Sequence, residues 1–188
     1  MPMKISTHPI DGLLSLEPTV FGDSRGYFFE HWSRERYQAA GIPGDFVQDN
    51  VSLSARGILR GLHIQCPNAQ GKLVQVLHGE VFDVAVDVRR NSPSFAKYSG
   101  MVLSAENHLQ FWVPPGFAHG FLVLSETALF QYKCTRYYAP SDELTIRWDD
   151  PEIGIDWPIR SPNLSAKDAR GVLLRDVPPD RLPLEPHG

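Results

Sequence analysis

The 188-residue chain is poor in several things, and each shortage removes a class of protein. Its two cysteines, Cys66 and Cys134, are too few for a disulfide framework and lack a zinc-site spacing. They read as buried free thiols of a reducing compartment. No stretch stays apolar for the ~20 residues of a membrane-spanning helix. The opening MPMKISTHPIDGLLSLEP lacks the apolar core of a secretory signal. Basic residues are not in excess either. With 18 Lys and Arg against 22 Asp and Glu, the formal net charge is -4, so no general positive field recruits nucleic acid or anionic lipid. Repeats and low-complexity tracts are missing, and the 16 prolines and 15 glycines are scattered rather than gathered into a linker. Residues 1–188 therefore read as one domain, with the cytoplasm as the default address.

What is present is mostly strand. EVFDVAVDV alternates strictly, with Phe82, Val84, Val86 and Val88 on one face and Asp83 and Asp87 on the other. In KLVQVLHGEVFDV, His78–Gly79 separates two such runs and predicts a hairpin. LQFWVP and ALFQYKCTRYY continue the pattern, the latter placing Phe130, Tyr132, Cys134 and Tyr138 on one face. Two stretches read as helical: SRERYQAAG (33–41), from a Ser33 cap to Gly41, and SAKDARGVLL (165–174), where Ser165 and Asp168 have near-capping-box spacing. From about residue 160 the composition turns Pro-rich and polar, as in a peripheral segment with one short helix. Many short strands with little helix predict an all-β sandwich or small barrel.

One stretch, ILRGLHIQCPNAQGK (58–72), sets Arg60, His63 and Lys72 among glycine and apolar residues. Enclosing such groups is costly unless something negative or reactive lies between them. The chain resembles both halves of the pattern of cupins, the double-stranded β-helix class: G-x5-H-x-H-x3,4-E and then P-x-G-x2-H. GILRGLH supplies the first Gly and His63, and PPGFAH supplies His119. Gln65 and Gln70, however, stand where the second His and the Glu belong. Neutral amides are poor ligands for a transition metal, so the barrel is expected without a metal or other cofactor. That leaves organic acid–base chemistry, with a neutral His as base, an Asp fixing its tautomer, a Tyr as acid and a Lys or Arg facing an oxyanion. Residue type alone does not choose, because a core His is more often structural, Asp168 fits a helix cap and Tyr132 fits packing.

Longer blocks do choose. FGDSRGYFFE, FVQDN, LRGLHIQ, AQGKLVQV, GEVFDVAVDVR, LSAEN, PPGFAHGFLVLSE, YKCTRYYAP and DWP…LSAKD run in order from about residue 8 to residue 170. Together they resemble the dTDP-4-dehydrorhamnose 3,5-epimerase family. The resemblance implies a cupin-type jelly-roll barrel with short peripheral helices, and a metal-free isomerase acting on a dTDP-4-dehydro-6-deoxy-sugar. It implies His63 as base, Asp168 as its carboxylate partner, Tyr132 as the opposite-face acid and Lys72 as the cation at the C4 oxygen. Diphosphate and nucleoside contacts fall on Arg25, Glu30, Gln48, Asp49, Asn50, Arg60, His119, Glu143 and Lys167, with Tyr138 stacked on thymine. Tyr27 and His108 depart mildly from the family pattern, which favours Phe at the first and Lys or Arg at the second.

The resemblance also implies a homodimer in which an N-terminal strand joins the neighbour's sheet, and LLSLEPTVF is apolar enough to pair with an exposed edge. An enzyme inverting only carbon 3 or carbon 5, a metal-dependent cupin and a non-catalytic sugar-nucleotide binder remain as rivals. The downstream use of the product, in cell-wall rhamnose, lipopolysaccharide O-antigen or a secondary metabolite, is open. So is one point of parity: strict alternation sends Arg60 and His63 to opposite faces unless Gly61 marks a bulge.

Overall fold

The computed structural model describes residues 3–43 and 45–184; Met1, Pro2, Gly44 and residues 185–188 of the C-terminal stretch lie outside that description. In chain order the strands are β1 (Met3–Thr7), β2 (Leu14–Pro18), β3 (Val20–Asp23), β4 (Gly26–Phe29), β5 (Gln48–Ala55), β6 (Leu59–Gln65) and β7 (Lys72–His78). They continue with β8 (Glu80–Asp87), β9 (Tyr98–Ser104), β10 (Gln110–Val113), β11 (Phe117–Val123), β12 (Thr127–Cys134) and β13 (Glu143–Thr145). One sheet runs β1-β2-β10-β7-β12-β5 and a second runs β13-β6-β11-β8-β9, while β3 and β4 form a separate hairpin.

The two large sheets face each other. Val74, Val76, Phe111 and Phe130 of the six-stranded sheet meet Val81, Ala85, Phe117 and Phe121 of the five-stranded sheet in one buried cluster. Burial of apolar side chains between inward faces is what holds such a sandwich closed. The outer face of the five-stranded sheet is covered too. Leu59, Leu62, Val84 and Val86 pack there against Ile146, Trp157, Leu174, Val177 and Leu182. The segment after residue 160, expected to be peripheral, is thus the cover of that sheet. On the other side, helix α1 (Arg34–Ala39) brings Tyr37 onto Leu16, Leu73 and Trp112.

Several local expectations are corrected. Alternation in EVFDVAVDV is observed as expected, with the Asp83 and Asp87 face inward and both carboxylates fully buried. The run 72–88 is not a hairpin, because β7 pairs with β10 and β12 whereas β8 pairs with β9 and β11. At Gly79 the chain crosses from one sheet to the other, with φ +76° and Thr127 O occupying the place where a Cβ would sit. Alternating patterns define strands and their faces; they do not say which sheet a strand joins. The helix over 165–174 shrinks to a single 3-10 turn, Asp168–Arg170, followed by separate turns at Leu174–Asp176 and Pro179–Arg181. Helix 33–41 is present as the shorter 34–39, and Ser33 caps it without a side-chain hydrogen bond. The LLSLEP stretch pairs within its own sheet, since β2 lies between β1 and β10, which leaves β1 at the edge.

Candidate active site

The sheets enclose a cavity of about 320 Å³ whose walls come from both. Strand β6 supplies Arg60 and His63, and the parity problem is resolved in its ladder to β11. His119 lies opposite His63 and Phe121 opposite Arg60, so three steps on β6 match two on β11. That is a bulge. Gly61 makes it possible: its φ is +122°, and a Cβ would fall 2.7 Å from Gly120 Cα and His119 O. Leu59 and Leu62 therefore face the outer cluster, while Arg60, His63 and Gln65 line the cavity.

His63 Nε2 lies 2.6 Å from Asp168 Oδ1, and Ser165 Oγ donates to Asp168 Oδ2 at 2.8 Å. Ser165 Oγ also accepts the Asp168 backbone N–H at 3.1 Å, and this pair of local contacts orients the carboxylate for the imidazole. Facing a carboxylate, Nε2 carries the hydrogen, which leaves the Nδ1 lone pair of the neutral ring free. Burial, with the positive charge of Lys72, pushes the His63 pKa below its ordinary 6.5 against the pull of Asp168. Burial also opposes ionisation of Asp168, yet hydrogen bonds from His63 and Ser165 outweigh it and hold that carboxyl below its usual range. The pair is thus a neutral base beside a charged carboxylate.

The facing wall is different. Lys72 and Tyr132 lie on β7 and β12, in ladder with Cys134 and Val74 respectively. Burial lowers the Lys72 pKa and raises that of Tyr132. At the mouth, Glu143 accepts hydrogen bonds from Tyr138 Oη at 2.9 Å and Lys167 Nζ at 2.8 Å. The strand ends at Cys134, so Tyr138 reaches this place from the following turn rather than by alternation along β12. Gln48, Asn50 and Ser52 follow one another at period two along β5 on the cavity side. His119, backed by Asp83, completes the five-stranded wall.

Three expected contacts are not brought to this cavity by the chain's own fold. Asp49 points to the outer face and pairs with Lys133 at 2.7 Å, because its neighbours Gln48 and Asn50 take the inner one. Arg25 sits on the β3–β4 hairpin against Asp23, its side chain 88% exposed. Glu30 is bound to Arg36 of α1. The two positions that depart from the family pattern touch each other, with the Tyr27 and His108 rings 4.8 Å apart.

Sequence reading missed Ser52, whose buried hydroxyl has no partner; the spacing 48, 50, 52 was its signal. Gln65, at the place of a cupin metal ligand, uses its amide on backbone instead. It donates to Asn68 O at 2.9 Å and accepts from Ala139 N at 2.9 Å. Among the described residues no group of three or more His, Cys, Asp or Glu is arranged to hold a metal.

The sequence profile described as dTDP-4-dehydrorhamnose 3,5-epimerase matches residues 7–176. The chain belongs to that family. It is 54% identical over 177 residues to the dTDP-4-dehydrorhamnose 3,5-epimerase of Pseudomonas aeruginosa, covering 93% of this chain and 98% of that one. A solved structure from Legionella pneumophila, an epimerase in complex with dTDP-4-keto-L-rhamnose, superposes with a TM-score of 0.96 at 51% identity. That match covers 98% of this chain and 99% of the other. A 3'-monoepimerase from Streptomyces bikiniensis, in complex with dTDP-quinovose, is more distant, at 35% identity and a TM-score of 0.84 over 89% of this chain and 86% of that one. The family's cupin-type double-stranded β-helix is the fold of this chain.

Proposed function

We infer that this chain is a dTDP-4-dehydrorhamnose 3,5-epimerase, an isomerase that converts dTDP-4-dehydro-6-deoxy-α-D-glucose to dTDP-4-dehydro-β-L-rhamnose. The observation that carries the mechanism is the facing of unlike groups across one cavity: a carboxylate-backed imidazole on one wall, a phenol and an ammonium on the other. Carbons 3 and 5 flank the C4 ketone, and a C–H beside a ketone is a very weak acid. Nδ1 of His63 takes that proton while the negative charge moves to the C4 oxygen, where Lys72 receives it. One such donor is worth roughly 10²–10³ in rate. Asp168 holds the imidazole in the right tautomer and stabilises the imidazolium as it forms. Tyr132 then gives its proton from the opposite face, which inverts the centre; His63 returns its proton to solvent and the Tyr132 phenolate takes one up before the sequence repeats at the other carbon. No electrons leave the sugar, so the reaction balances without a redox partner.

Arg60, whose Nε donates to Ser54 Oγ at 3.1 Å, offers its remaining fork to the diphosphate. Tyr138, whose hydroxyl donates to Glu143 at the cavity mouth, is assigned to the thymine ring. Arg25 and Glu30 lie outside the chain's own cavity, which supports a homodimer in which the exposed β3–β4 hairpin, with Phe21, Tyr27 and Phe28 on its surface, completes a neighbour's site. Sedimentation velocity is expected to give twice the mass of the chain, and a monomer would remove that role for Arg25. No helix among the described residues is long and apolar enough to cross a membrane, and the cytoplasm, where nucleotide-activated sugars are made, is the proposed location.

Incubation with substrate in D2O, followed by mass and NMR analysis of the product, tests the activity. Label is expected at both carbon 3 and carbon 5. Label at one carbon only would move the chain to the monoepimerases, a reading that the likeness to the Streptomyces bikiniensis enzyme keeps specific.

A further inference from the structure

Asp83 has no part in the chemistry described so far, and its surroundings require an explanation. It stands on β8 opposite Phe121, its side chain fully buried, and both carboxylate oxygens lie 3.0 Å from His119 Nε2. His119 is itself nearly enclosed, stacked 6.2 Å from the Phe130 ring, and it lines the cavity. A carboxylate shut away from water is costly, and an apolar residue of similar size would pack this position at lower cost.

We propose that Asp83 is a positioning residue for the oxyanion site, fixing the His119 ring with its Nε2–H on the carboxylate. The proposal rests on the epimerase reading, because it assigns the C4 oxygen beside which His119 acts. The carboxylate dictates the tautomer: Nε2 must donate, so in the neutral ring Nδ1 is an acceptor, and as an imidazolium His119 becomes a second donor to the developing charge. The chain would then contain two imidazole–carboxylate pairs with separate tasks. His63–Asp168, with the imidazole 24% exposed, accepts the proton; His119–Asp83, at 7% and 0%, answers the charge left behind.

The test compares Asp83→Asn with wild type for kcat, for KM and for dTDP affinity by calorimetry. Expected are a loss in kcat of about 10²-fold and dTDP affinity at the wild-type level, which separates this role of His119 from the nucleotide contact that the family resemblance implies. His119→Asn combined with Asp83→Asn is expected to fall little below the worse single variant, since the two act as a unit. Wild-type kcat would overturn the proposal, as would a loss that disappears when activity is normalised to folded protein. A readout on the wild-type protein covers the case in which the variant does not fold. Long-range ¹H–¹⁵N NMR is expected to show His119 protonated at Nε2, and an Nδ1–H tautomer would refute the positioning role. If wild type neither turns over the substrate nor exchanges its C–H with D2O, the epimerase reading fails, while the NMR result still decides what Asp83 does to His119.

Discussion

The two sheets that enclose the cavity bear different loads. The five-stranded sheet and the turn after it hold both histidines, each with a buried carboxylate behind it, at 2.6 Å for His63 and 3.0 Å for His119. The six-stranded sheet supplies Lys72 and Tyr132, on which burial acts in opposite senses, loosening the ammonium's proton and tightening the phenol's. Their outer faces differ as well. The C-terminal segment seals the five-stranded sheet with Trp157, Leu174, Val177 and Leu182, whereas the six-stranded sheet leaves Val51, Leu53 and Leu77 at the surface. A base requires a fixed tautomer and a rigid support, and the sealed sheet provides both. An acid needs its proton retained until an enolate forms, and burial alone accomplishes that.

The difference between the walls can be broken most severely at the base. His63→Asn is expected to lower turnover by about 10²–10⁴-fold and to stop solvent deuterium entering the sugar, with dTDP affinity retained by calorimetry. Loss of folding in that variant would instead make the histidine structural. On the facing wall, Lys72→Met removes the charge at the C4 oxygen and is expected to cost roughly 10²–10³ in kcat. An unchanged kcat with a raised KM would show that Lys72 only binds.

The seal can be probed without touching the chemistry. Leu174→Ala, at a side chain 2% exposed, is expected to cost about 2–5 kcal/mol of stability by chemical denaturation. The kcat of the folded fraction should stay close to wild type unless the sealing segment also sets the His63–Asp168 geometry. The mildest test is the pH profile. Since burial depresses the His63 pKa, the acid limb of kcat/KM is expected to fall below 6.5, His63 staying neutral and competent down to its folded value. The Lys72 pKa is depressed likewise, so the alkaline limb should lie below 10.5. An acid limb above 6.5 would mean that Asp168 outweighs burial.

Much of the site was legible residue by residue. Strand alternation already separates the Val84 and Val86 face from the Asp83 and Asp87 face, and the blocks around His63, Lys72, Tyr132 and Asp168 point to one enzyme family. Period two also argues against Asp49 beside Gln48 and Asn50, because consecutive strand residues cannot share a face. The hairpin at His78–Gly79 was misplaced for another reason: two adjacent alternating runs look the same whether they pair or part. Asp168 reads as a helix cap because Ser165 lies three residues before it, and 105 residues separate it from the imidazole it orients. Arg25 and Glu30 stand apart from the cavity in this chain, paired with Asp23 and Arg36.

Composition, periodicity and the ordered blocks were sufficient for an all-β barrel, its family and the kinds of side chain its chemistry requires, since those depend on local pattern and residue type. Which sheet each strand joins, the bulge that turns Arg60 and His63 to the same side, and the meeting of His119 with Asp83 arose only on folding. They depend on contacts between distant segments, where one glycine at a close approach of two backbones changes the parity of everything that follows it.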